Sequence, residues 1–354
     1  MNKQYQQKNE SGLVAIIVAS IIMVILSLVT LGFARIMQRE QRQALDRTLS
    51  TQAFYAAESA INEVESSIKA GTLTADKTTC AAGTTPYTGN VDAARNVSYS
   101  CLLIDQSPQS LEYSQLSTTD FKTIPIKSES GAQISIITLA WDDPTLPDSD
   151  AVGKPATTPV FNDCTAADPT LPVSWPTTPK SPGMVQVDLI PVGATLSRAG
   201  LINDTIHLYL YPCKTASGVS AINWTDHSAA TSKGKIVPVA CSAIPAAGSS
   251  RDCSLSINLT SIPTAAYYMR VRSIYKTSGL TIRAFDSTLN QLPLVGAQVL
   301  VDSTGKVADV LRRVQVRLPS YLSYAVPDYV IHTTDSICKQ ISVTPTSATN
   351  SCGL

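Results

Sequence analysis

Residues 12–69 read GLVAIIVASIIMVILSLVTLGFARIMQREQRQALDRTLSTQAFYAAESAINEVESSIK, and the rest of the chain depends on how they fold. Leu13 to Ala34 is a run of 22 residues without a charge. In a helix such a run is long enough to cross the roughly 30 Å of bilayer hydrocarbon. No proline interrupts Arg35 to Lys69. The pattern predicts one continuous helix, Gly12 to Lys69, about 57 residues and roughly 85 Å long at about 1.5 Å per residue. Gly71 follows the last periodic residue, where a helix C-cap is expected.

The second part of this helix is amphipathic. Leu45, Leu49, Ala53, Ala57, Ala60, Ile61, Val64 and Ile68 recur at steps of mostly three or four, which places an apolar stripe on one face. Glu58, Asn62, Glu63 and Glu65 lie away from it. Ala53, Ala56, Ala57 and Ala60 are small enough to let a sheet approach closely. The other reading is a juxtamembrane coiled-coil stalk, but the stripe is Ala-rich and keeps no strict seven-residue repeat.

Outward from the helix, residues 1–12 (MNKQYQQKNESG) form a polar leader with Lys3 and Lys8. The apolar run is too long for a plain signal peptide, and no small-x-small cleavage pattern follows it, so a retained anchor is expected. Two basic residues precede the run, and Arg35, Arg39, Arg42 and Arg47 follow it, which by the positive-inside count would leave the large domain in the cytoplasm. The cysteines argue the other way. Cys80, Cys101, Cys164, Cys213, Cys241, Cys253, Cys338 and Cys352 all follow the run, and no CxxC pair suggests metal or redox chemistry. An even number on one side of a membrane segment points to disulfides and an oxidising compartment. Short closures favour Cys80–Cys101, Cys241–Cys253 and Cys338–Cys352, with Cys164–Cys213 left over. Eight cysteines allow about 105 pairings, and eight buried thiols are the alternative.

Beyond the helix the chain reads as β-rich. Strands are expected at Val97–Ile104, Leu111–Leu116, Gln133–Trp141, Met184–Pro191, Thr205–Tyr211, Ile236–Cys241, Ser254–Leu259, Tyr267–Tyr275, Leu280–Phe285, Val295–Val301 and Val307–Leu318. Lys276–Gly279 and Asp302–Gly305 suit hairpin turns. No βαβ alternation appears, so an antiparallel sheet or sandwich is expected. The fold class is therefore α+β: a long N-terminal transmembrane and amphipathic helix packed on an antiparallel β-rich C-terminal domain. The divisions are leader 1–12, membrane part 13–34, helix continuation 35–70, β-rich 71–141, Pro-rich loop 142–183 and β-rich 184–354. That loop carries nine of the 21 prolines and is a surface excursion or a subdomain boundary. Its Asp142, Asp143, Asp148 and Asp150 are oxygen ligands of the kind calcium takes, but the EF-hand pattern is absent and a solvated acidic loop is the simpler reading.

Little in the chain suggests catalysis. His207, His227 and His332 have no second histidine at metal-ligand spacing. Ser273–Lys276 matches SxxK, a motif that opens a helix in penicillin-binding enzymes, whereas here it falls in a strand-like run. No cofactor or metal is expected, and the formal net charge of zero offers no basic surplus for specific nucleic-acid binding.

Gly12 and the motif QAFYAAESA (residues 52–60) resemble type IV pilin-like proteins, in particular PilX-type minor pilins and pseudopilins. ADVLRRVQVR (308–317) resembles a late strand of related proteins, less specifically. The likeness is good over residues 1–70 and weak beyond. It implies cleavage by a prepilin peptidase between Gly12 and Leu13, and methylation of the new Leu13 amino group. It also implies bundling through Leu13, Ile17, Ile21, Ile25 and Leu28 with other pilins or pseudopilins. Membrane lipid before assembly and a pilus assembly platform are the remaining implied partners. Most major pilins carry Glu as the fifth residue of the mature chain; here it is Ile17, as in some minor pilins and tip pseudopilins. The implied location is the inner membrane, single-pass, with an extracytoplasmic C-terminal domain, then a surface pilus. The alternative is an anchored adhesin, receptor or hydrolase that never assembles.

Overall fold

The computed structural model describes residues 11–73, 75–80, 88–143, 164, 182–192, 205–214, 217–226, 235–242, 251–261 and 263–320. Among the described residues, one α-helix, α1 (Ser11–Lys69), is followed by fifteen strands and two single-turn 3-10 helices. Contacts divide the chain into two units: the chain up to Asp105 together with Leu300–Leu318, and the remainder.

In the first unit, α1 ends as its sequence demands. Gly71 takes a left-handed φ of 67°. Its N–H bonds the Ile68 carbonyl and the Thr72 N–H bonds the Ser67 carbonyl, both at 3.0 Å, a Schellman closure that satisfies two orphan carbonyls. Lys69 pairs with Glu65 one turn back, at 2.7 Å.

The helix packs on a four-stranded sheet ordered β1 (Gly89–Asp92), β2 (Val97–Asp105), β14 (Gln298–Val307) and β15 (Val310–Pro319). Ala53, Ala56, Ala57 and Ala60 are fully buried, and Ile61, Val64 and Ile68 nearly so. Ala53 and Ala56 meet Val97 and Val307, with Leu49 and Val310 at the margin. Each buried Ile or Val contributes about 1.5–3 kcal/mol by leaving water. Leu45, expected on this stripe, is instead exposed, because the packed face begins near Leu49. The Cys80–Cys101 disulfide ties the segment after the helix to β2.

The expected turn at Asp302–Gly305 is not a turn. Those residues lie inside β14, and the chain reverses at Ala308-Asp309, where Ala308 takes a φ of 50°. Gly305 serves a different need: a Cβ there would overlap the Ala53 carbonyl oxygen of α1.

The second unit is one large sheet. Its strands run in the order β13 (Gln291–Leu292), β12 (Ser278–Phe285), β5 (Ile136–Asp142), β10 (Cys253–Asn258), β9 (Lys235–Cys241), β7 (Ile206–Lys214), β6 (Met184–Pro191), β11 (Ala266–Ile274) and β4 (Lys122–Lys127). β3 (Leu111–Leu116) also pairs β12, and β8 (Ala221–Asn223) pairs β10. The two ends of this order are joined by the chain, because β3, bound to β12, runs directly into β4. At the other end the segment after β13 bridges to Ser128, just past β4, through Leu294. Alternate residues of every long strand point into one core, including Ile124, Ile137, Leu139, Trp141, Val187, Leu208, Leu255 and Met269, all at 0–1% exposure. The Trp141 Nε1–H donates to the Gly183 carbonyl at 3.1 Å, so even this buried indole is satisfied.

Several expectations change here. Most pairs are antiparallel, but β7–β9 and β8–β10 are parallel. Lys276–Gly279 is not a hairpin: β11 pairs β6 and β4, whereas β12 pairs β5 and β3. The corner turns through Tyr275, at φ 69°, and Gly279 is needed because a Cβ would strike Arg251 and Asp142. The strands flanking residues 142–183, β5 and β6, belong to the same sheet, so that stretch interrupts a unit and is no boundary between two. β4 escaped the pattern because Pro125 interrupts it; lacking an N–H, Pro125 suits a strand with a single regular partner.

Candidate functional site

The feature that sets this chain apart is the first half of α1, against which none of the described residues packs. Every residue from Ala15 to Thr48 is exposed. Among them are Ile17, Ile21 and Ile25, each about half exposed, and Leu28 at 64%. Such a surface is unfavourable in water and favourable in hydrocarbon or against other apolar helices. The few hydroxyls in the run are silenced within the helix. Ser20 donates to the Ile16 carbonyl at 2.9 Å, Ser27 to Met23 at 2.7 Å and Thr30 to Leu26 at 2.9 Å, so none presents an unsatisfied donor to lipid. The helix is long and apolar enough to cross a membrane. Arg35 and Arg39 follow at its end. Gly12 and Leu13 lie within α1.

The motif of residues 52–60 divides by face. Ala53, Ala56, Ala57 and Ala60 turn to the sheet, whereas Phe54 and Tyr55 turn out, 45% and 60% exposed, with ring centroids 5.9 Å apart, edge to face. The periodicity identified the inward residues. The outward aromatic pair was overlooked, although two adjacent rings off the stripe were the available signal. Glu63 accepts a 2.7 Å hydrogen bond from the Tyr99 hydroxyl of β2, fixing the rotation of the helix on its sheet.

Two further disulfides join Cys164 to Cys213 and Cys241 to Cys253. Cys338 and Cys352 lie outside the described residues, as do His227, His332, Asp148 and Asp150. Asp142 pairs with Arg251, whose Nε also donates to Thr281 at 2.6 Å, and Asp143 pairs with Lys276. These two carboxylates are spent on cations of their own chain. Ser273 is buried at the end of β11, where its hydroxyl bonds Ser278 at 2.9 Å and the Met184 and Lys276 carbonyls. With Lys276 held by Asp143, the SxxK residues form a structural corner. His207 faces Asp188 at 2.9 Å on the outer face of the sheet. Among the described residues no group of three or more His, Cys, Asp or Glu is placed to hold a metal.

No protein-family model, no curated protein and no solved structure matches this chain.

Proposed function

We propose that this protein is a minor pilin, a structural subunit of a type IV pilus or related secretion filament with a place at the tip or in priming. The observation that carries the reading is the division of α1. One half is apolar on all sides and left uncovered; the other is held on a sheet by alanines and by the Tyr99–Glu63 bond. A helix so divided can wait in a membrane and later exchange lipid for neighbouring helices. Both environments satisfy an apolar surface without new polar contacts, which keeps the exchange inexpensive. Gly12 and residues 52–60 add the resemblance. The exposed Phe54–Tyr55 pair lies on the helix face open to a neighbouring subunit. Ile17 leaves the membrane segment without the carboxylate of major pilins, which suits a subunit present in few copies. The large sheet of the second unit lies beyond the reach of the resemblance and serves as the presented domain.

The disulfides favour an oxidising, extracytoplasmic setting for the β-rich part, against the arginine count beside the helix. The second reading, an anchored surface domain that never assembles, uses the same apolar helix and makes no demand on Gly12. Mass spectrometry of the amino terminus, on protein from native membranes and from sheared fibres, separates the two. A chain starting at methylated Leu13 and present in fibres is the expected result. A chain that keeps residues 1–12 and stays in membranes would overturn the filament reading. The bulky Gly12→Val substitution should accumulate uncut protein.

A further inference from the structure

The outer face of the second unit carries an arrangement that its fold does not require. Along β11, Tyr267, Met269 and Val271 are buried, so Arg270 and Arg272 point outward. Both guanidinium carbons lie 4.5 Å from the centre of one ring, Phe121, which precedes β4. Two full positive charges are thus gathered on one aromatic side chain, separated by at most twice that distance. Like charges so close repel, and each cation's attraction to the ring offsets that only in part.

Compensating charge is scarce. Among the described residues, Asp188, beside Arg270 on β6, is the one carboxylate paired with either arginine. Its Oδ1 is engaged by His207 Nδ1 at 2.9 Å, and its Oδ2 stands 3.9 Å from the Arg270 Nη1, beyond hydrogen-bond length. Arg272 donates from Nε to the neutral Gln186 amide oxygen at 2.9 Å. That bond and the ring fix the guanidinium plane, and its terminal nitrogens have no protein acceptor among the described residues. Asp120, next to Phe121 in sequence, is engaged within its own turn by Ser117 and Thr119. The pair is half-buried, with the Arg270 side chain 24% exposed, so the field is less screened than at a fully exposed site. Tyr209, opposite Gln186, and Tyr268, two residues before Arg270, flank the pair on the same face.

We propose that Arg270 and Arg272, braced by Phe121, Gln186 and Asp188, form a binding site for an oxyanion: the carboxylate, sulfate or phosphate group of a ligand met outside the cell. Planar forks with free terminal N–H groups match such oxygens in pairs, a geometry that lysines cannot supply. The flanking tyrosines offer apolar faces for the body to which the anion is attached. The inference holds whether or not the chain assembles into a filament.

The test is calorimetric titration of the full-length protein in detergent with sodium glucuronate, sodium sulfate and sodium phosphate, each against sodium chloride of matched ionic strength. Saturable binding of at least one oxyanion is expected, weakened about tenfold or more in Arg272→Gln and weakened also in Arg272→Lys, which keeps the charge and loses the fork. Arg312→Gln, in the other unit, should bind as the parent does. Preference for glucuronate assigns a carboxylate ligand, and preference for sulfate or phosphate a tetrahedral one. Absence of saturable binding, or equal binding by the parent and by Arg272→Lys with an unchanged melting transition, would overturn the proposal.

Discussion

Gly305 of β14 meets the backbone of α1 at Ala53: a Cβ at residue 305 would overlap the Ala53 carbonyl oxygen and stand 2.7 Å from the Ala57 nitrogen. Neither atom belongs to a side chain that could swing away. Gly305→Ala should therefore push the helix off its sheet and destabilise the first unit by about 1–3 kcal/mol, the usual cost of overpacking. Gly32→Ala is the control, since nothing lies within 4 Å of a Cβ there. A melting temperature lowered by the first substitution and not by the second is the expected result.

The Tyr99 hydroxyl donates to a Glu63 carboxylate at 2.7 Å in a partly buried setting. A hydrogen bond to a charged group contributes about 1.5–3 kcal/mol. Tyr99→Phe and Glu63→Gln should each cost roughly 1–2 kcal/mol, and in a double-mutant cycle the double variant should lose less than the sum of the two single losses. Additive losses would mean that the two residues act separately.

Burial pushes the Tyr267 phenol up to about 12, opposed in part by a hydrogen bond with Thr264. The folded protein thus keeps a proton that the unfolded chain releases near the ordinary phenol pKa of about 10. The neutral, buried form is favoured below that value, so its contribution is complete there and is lost as pH rises toward 12. Denaturant unfolding measured across this range should show stability falling with pH, and Tyr267→Phe should flatten the fall.

Cys164 and Cys213 are separated by 49 residues in sequence, and Cys241 and Cys253 by 12. By loop-closure entropy alone, removing the longer link costs about 4 kcal/mol and the shorter about 3. Replacing Cys164 and Cys213 together by Ser should lower the unfolding midpoint more than the same change at Cys241 and Cys253. Peptide mapping without reductant checks the pairings themselves.

Local order was legible in the sequence because its causes are local. An uncharged run, the absence of proline and Gly71 define α1 without reference to any other segment. Alternation such as that of residues 267–271 marks which side of β11 is buried. The two mistaken hairpins show where this reading stops. Glycine signals a turn, but it equally signals close approach, and at Gly279 and Gly305 the approach is to Asp142 and Ala53, which are remote in sequence.

The sites divide in the same way. The apolar half of α1 is visible as composition, since it depends on no partner within the chain. The Arg270–Arg272–Phe121 cluster was invisible, because Phe121 reaches β11 only when β4 pairs with it, residue 127 opposite 266 and residue 122 opposite 271.

The sequence by itself determined that one long helix begins as an apolar, uncharged run and continues as an amphipathic stripe, and that much of the remainder is strand-rich. Tertiary structure alone decided that β14 pairs with β2 instead of with a strand of the second unit. It also decided that eleven strands share one sheet and a single core. Alternation makes each strand compatible with many neighbours, and only the simultaneous fit of all registers around a shared interior selects one set.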